Sequence, residues 1–176
     1  WRDHYLHTFE KYANAADGSP VEEVADRALA YFRRSSVDIA DRFDPALLHA
    51  DFTPDNLVTD EGHVRAVLDW EHARAGCPAK EFYDLEENVV RIVQSEELRR
   101  DLRESLHAGY RAVRPVSEAF LARKNLFGVA AVTRVGAVHS LLSDSEDEFD
   151  TAEFRDRAER VLDDRIDDAD SSLEGR

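Results

Sequence analysis

The stretch LLHADFTPDNLVTDEGHVRAVLDWEHA (residues 47–73) decides how the rest of the chain is read. A short apolar run leads into His49-x-Asp51, and Asn56 follows five residues after Asp51. The runs NLVT and HVRAVLDW are β-prone and separated by Asp60-Glu61-Gly62, a pattern that predicts a small antiparallel hairpin. Such a hairpin folds the chain back, so that Asp69 returns to the end occupied by Asp51 and Asn56. The apolar Ala46-Leu47-Leu48 is expected to be buried. It sets His49 at the end of a buried segment, where its ring can bond backbone carbonyls and brace the loop while Asp51 faces outward.

Two carboxylates drawn together in this way repel. At ~4 Å and an effective dielectric of about 20 the repulsion is ~4 kcal/mol unless a cation or a shared proton lies between them. Asp51, Asp69 and Asn56 offer hard oxygen atoms, the kind Mg²⁺ takes when phosphates complete its shell. The pattern therefore points to an acid or base, Asp51, beside a divalent-metal site at Asn56 and Asp69. Bland alternatives are turn chemistry for Asp and Asn, packing for Trp70 and a solvated carboxylate for Glu71. A transition-metal cluster of His49 with Asp55, His63 and His72 fits poorly, because His63 falls in the hairpin turn and His72 follows the metal loop.

His-x-Asp-x-x-x-x-Asn followed by a hairpin and Asp resembles the catalytic segment of the protein-kinase-like superfamily. Within it, HADFTPDN and VLDWEHARAGCPAKEF look most like the aminoglycoside phosphotransferase and choline kinase group. The resemblance is close over residues 47–82. It implies that Asp51 accepts the proton of a substrate hydroxyl, that Asn56 and Asp69 hold Mg²⁺ on the phosphates of ATP (or GTP), and that His49 braces the loop. Glu71 and Glu81 are possible substrate or supporting contacts. The group commonly has Gly where Ala50 stands, Gly-Asp-Pro where Gly76-Cys77-Pro78 stands, and Asp-Leu where Glu81-Phe82 stands. Nothing in the chain resembles the Gly-rich loop and Lys–Glu pair of the nucleotide lobe, which is expected upstream in the full protein.

Outside this segment the periodicity is helical. WRDHYLHTFEKYANAADG reads as a helix ending near Gly18. A second helix should start at Ser19-Pro20, with Glu22 closing a capping box and Val21, Val24, Ala28, Leu29 and Phe32 facing a core. Residues 36–46 read as a connection with a turn at Asp44-Pro45. Further helices are expected at about 79–94, 96–112 and 116–142, the last being the most apolar, and one more from Thr151 to about Asp170. SDSEDEFD (143–150) reads as a solvated acidic loop, and DDADSSLEGR (167–176) should fray. The expected fold class is mostly α with a small β-hairpin (α+β), a single domain over 1–176 equivalent to the C-terminal lobe of a kinase-like protein.

Composition narrows the partners. The 176 residues carry 38 Asp and Glu against 23 Lys and Arg, a net charge of −15. Only Lys11, Lys80 and Lys124 are lysines. So acidic a surface repels nucleic acid and anionic membranes, and with so little lysine it fits a very salty cytoplasm with a short screening length. Cys77 is the one cysteine, which excludes an internal disulfide framework and fits a reducing, cytoplasmic setting. No apolar run reads as a membrane span. The expected partner is a small molecule bearing a hydroxyl. Two rival readings are a kinase-like module that binds without catalysis and a metal-dependent hydrolase built on His49-x-Asp51. The hydrolase lacks the further His ligands such sites need.

Overall fold

A computed structural model describes residues 1–36, 43–90, 93–145 and 149–174. The chain is mostly helical with two small antiparallel sheets. It falls into two units, one of Trp1–Arg42 with Leu121–Arg176 and the other of Phe43–Phe120.

The first unit is built from helices. α1 (Arg2–Asn14) and α2 (Glu22–Ser35) bury one stripe each, and Val21, Val24, Ala28, Leu29 and Phe32 are all in the core, as their spacing predicts. α2 starts at Glu22, not at Ser19. The residues of the expected capping box hold a turn instead. The Ser19 carbonyl accepts from the Glu22 N–H, and Glu22 Oε2 accepts from the N–H of Gly18 at 2.6 Å. α1 likewise ends at Asn14, four residues short of Gly18, which carries a φ of 74° in that turn.

The long apolar helix expected over 116–142 is interrupted. α5 spans Glu118–Ala131, a 3-10 turn covers Val132–Arg134, and a further helix, α6, spans Val135–Ser145. Thr133 is buried in the turn, and its hydroxyl donates to the Ala130 carbonyl at 2.7 Å, a local bond that competes with the helical ladder. Just beyond it, Gly136 lies against Ala16 so closely that a Cβ there would sit 2.5 Å from the Ala16 Cα. Phe127 of α5 meets Tyr5 edge-on, with ring centroids 4.9 Å apart, and Phe9 meets Phe32 at the same separation. Edge-to-face pairs of this kind add ~0.5–1.5 kcal/mol each beyond the area they bury.

By length and composition the run Glu118–Asp144 would suffice to cross a membrane, contrary to the expectation of no such run; half of its apolar window is buried, and core helices pass the same test.

A final helix, α7 (Thr151–Glu174), runs past Asp170 through most of the segment expected to fray. Three contacts hold this end in place. Tyr31 donates to Asp170 Oδ1 at 2.6 Å, and Asn125 Nδ2 donates to the Asp168 carbonyl and to Ser172 Oγ. Burial first, and the Asp170 carboxylate next, push the Tyr31 hydroxyl up to about 12. Asp150 caps α7 by accepting from the N–H groups of Ala152 and Glu153. Residues 143–145 of the expected acidic loop are the end of α6, while 37–42 of the expected connection and 146–148 of that loop lie outside the described residues.

The second unit holds the sheets. β1 (Ala46–Leu48) pairs with β4 (Arg74–Gly76), a ladder the hydrophobic pattern did not predict. Strand alternation also corrects the expectation for the apolar lead-in: Leu48 is 3% exposed but Leu47 is 69% exposed. β2 (Leu57–Asp60) and β3 (His63–Val67) form the expected hairpin. Its two-residue turn, Glu61-Gly62, has φ of 49° and 77°, the pair of positive values that suits the strand twist. α3 (Pro78–Val90) stops short of residue 94, with 91–92 outside the described residues and no helix over 93–95. α4 (Glu96–Val113) is capped by Ser95, whose hydroxyl accepts from the Leu98 N–H. Phe82 of α3 contacts Tyr110 at 4.9 Å and Phe120 at 5.6 Å to form the aromatic centre of this unit.

Candidate active site

β1 delivers the chain to His49, whose side chain is buried although it is polar. Burial of an imidazole requires a partner, and Nε2 meets the Leu68 carbonyl at 2.7 Å. A carbonyl can only accept, so Nε2 carries the proton in the neutral ring. The ring also packs edge-on against Trp70, 4.7 Å between centroids, and against Phe52. Trp70 is itself tied down, its indole N–H donating to the Val67 carbonyl at 2.8 Å.

The backbone after His49 turns sharply. Ala50 has φ of 67°, in the left-handed region where a Cβ is disfavoured. The turn brings two successive N–H groups to one carboxylate. Glu81 on α3 accepts from His49 N–H at 2.7 Å with Oε1 and from Ala50 N–H at 3.1 Å with Oε2. Its carboxylate is thus engaged by the loop backbone, and the longer arm of Glu spans the gap between helix and loop. Cys77, just ahead of α3, is fully buried.

Asp51 follows and is exposed. Its carbonyl accepts from Asn56 Nδ2 at 2.9 Å, which leaves the Asn56 amide oxygen as the group available to a cation. Asn56 closes a 3-10 turn, Pro54–Asn56. Its own carbonyl accepts from Leu68 N–H at 2.8 Å, continuing the β2–β3 register in which Leu57 faces Val67. A closed ring of contacts results: Asp51 to Asn56, Asn56 to Leu68, Leu68 to His49. Asp69 is the next residue along from Leu68, exposed, with φ of 60° and ψ of 62°.

So the structure draws His49, Asp51, Asn56 and the Leu68-Asp69 turn into one bonded unit. Glu71, by contrast, is exposed and lies 3.6 Å from His72 Nε2, and His63, expected in the hairpin turn, is instead the first residue of β3 just after it, with Nδ1 3.0 Å from the Glu61 carbonyl. Among the described residues no three His, Cys, Asp or Glu side chains converge on a common point. The oxygen set at this loop is two carboxylates and one amide, a donor set suited to a hard cation that phosphates also bind. Sequence reasoning missed Asn88, whose Nδ2 donates to the Phe52 carbonyl at 3.1 Å. Its only sequence signal is its place seven residues after Glu81, on the same helix face.

The family model described as phosphotransferase enzyme family matches residues 1–116. A crystal structure of a thermostable mutant of the aminoglycoside phosphotransferase APH(4)-Ia, in its apo form, is similar over 93% of this chain and 52% of that one, with a TM-score of 0.56 and 21% identity. That identity speaks for the fold alone, and this chain spans about half the length of that one. No curated protein matches. The family match takes in well over half of the chain, the loop from His49 to Asn56 and the hairpin with it, and the chain belongs to the phosphotransferase enzyme family.

Proposed function

We propose that the chain is the C-terminal, substrate-side lobe of a kinase-like enzyme that transfers the γ-phosphoryl group of ATP, or GTP, to a hydroxyl of a small molecule such as an aminoglycoside, choline or a sugar. The observation that carries this reading is the ring of bonds joining Asp51, Asn56, Leu68 and His49, with Asp69 beside it. In this reading Asp51 takes the hydroxyl proton and orients the oxygen for in-line attack, and Asn56 and Asp69 hold Mg²⁺ through their oxygens. When bound, the ion supplies charge neutralisation on the phosphates. The chain's own residues do the rest by positioning. His49 holds the Leu68 carbonyl and so the turn that carries Asp69, and Glu81 holds the loop that carries Asp51.

Contacts to the α- and β-phosphates fall to a nucleotide-binding lobe that we place upstream in the full protein, which works in a salty cytoplasm. The chain spans about half the length of the similar structure. Calorimetric titration of Mg·ATP in concentrated KCl tests the reading, comparing the 176-residue chain with the full-length protein. Binding to the full-length protein and little to the chain alone is the expected result. A full-length protein that binds no Mg·ATP contradicts it.

A further inference from the structure

We propose that Asn88 is a positioning residue for Asp51, acting with Glu81 to grip both ends of the loop from one face of α3. This inference rests on the phosphotransfer reading of Asp51.

The loop from His49 to Phe52 pairs with neither sheet, so side chains satisfy its backbone. Ahead of Asp51, two N–H groups, His49 and Ala50, donate to the Glu81 carboxylate. Behind it, the Phe52 carbonyl accepts from Asn88 Nδ2 at 3.1 Å. Between them, the carbonyl of Asp51 itself accepts from Asn56. Residues 81 and 88 are two helical turns apart, about 10.5 Å along one face of α3. An acceptor thus meets the donors at the start of the loop, and a donor meets the acceptor at its end. The order cannot be reversed, since a carboxylate has no proton to give and the amide has N–H groups that it must place.

Asn88 and Phe52 are both half-buried, and their bond lies next to the exposed Asp51 instead of in the aromatic centre of the unit. A rigid helix contacting the loop on both sides of Asp51 restricts how far its carboxylate can swing. Asn56 holds only the Asp51 carbonyl, whereas Glu81 and Asn88 hold the backbone on either side of it.

The test uses the full-length protein with Asn88→Asp, near-isosteric but unable to donate when ionised, and Asn88→Ala as a second variant. Their crystal structures should show the Phe52 carbonyl turned away and Asp51 displaced, with the Glu81 bonds kept. In steady-state transfer assays, kcat should fall about tenfold to a hundredfold while KM for nucleotide and acceptor stays within about twofold, the mark of lost positioning instead of lost binding. A loop unmoved in both variants overturns the proposal whatever the activity. So does wild-type kcat in both variants, provided Asp51→Asn abolishes transfer. Transfer that survives Asp51→Asn overturns the phosphotransfer reading instead, and with it any catalytic meaning of the grip.

Discussion

Ala50 stands at a φ of 67° between two residues whose positions matter, His49 and Asp51. A left-handed alanine is disfavoured by roughly 1–2 kcal/mol, and glycine removes that strain at the expense of a larger entropy loss on folding. Ala50→Gly should therefore stabilise the protein by about 0.5–1 kcal/mol, read as a raised denaturant midpoint at unchanged slope. A lower midpoint would mean that Ala50 makes a compensating contact. The same residue shows what a sequence can and cannot disclose. The departure from glycine was legible, as was the replacement of Asp by Glu at position 81. The bonds that give both departures meaning were not, because the acceptor of the His49 N–H lies 32 residues away on another element. Asn88 was no easier to see: its place on the Glu81 face of the helix is a weak signal, and its acceptor, the Phe52 carbonyl, lies 36 residues away.

Among the elements, those with strong local signals were readable in the sequence, and α4 kept its expected bounds to within about one residue. The hairpin was readable because Glu61-Gly62 supplies its turn, and the core stripe of α2 because its apolar spacing is helical. Boundaries set by distant contacts were not readable. Bonds from Tyr31 and Asn125 keep α7 helical to Glu174, and the short β1–β4 ladder exists only because two three-residue runs meet.

The break between α5 and α6 belongs to this class, since it brings Gly136 against Ala16. Gly136→Ala should destabilise the first unit. A methyl group 2.5 Å from a backbone Cα must push the helix away, and overpacking of this kind costs about 1–3 kcal/mol. Thermal unfolding measures it. A variant as stable as the parent would show that α6 and the turn after α1 can separate freely at Ala16.

On the scale of the whole molecule, the acidic composition and the kinase-like segment could be read directly. The division into two units could not, because no Pro- or Gly-rich linker marks it and the boundary at Phe120–Leu121 falls inside α5. A strong charge also hides local preference: with −15 spread over 176 residues, acidic side chains near the loop carry no clear message about a cationic acceptor. The loop chemistry carries the proposed function instead.

In the proposed reaction Asp51 activates the acceptor hydroxyl in a Mg²⁺-assisted transfer. The most direct measurement is γ-phosphoryl transfer by the full-length protein to a panel of aminoglycosides, choline and sugars, with the parent and Asp51→Asn compared. Loss of a general base predicts a fall in kcat of about 10²–10⁴-fold with the fold and Mg·ATP binding retained. Turnover by Asp51→Asn near that of the parent would contradict this role for Asp51.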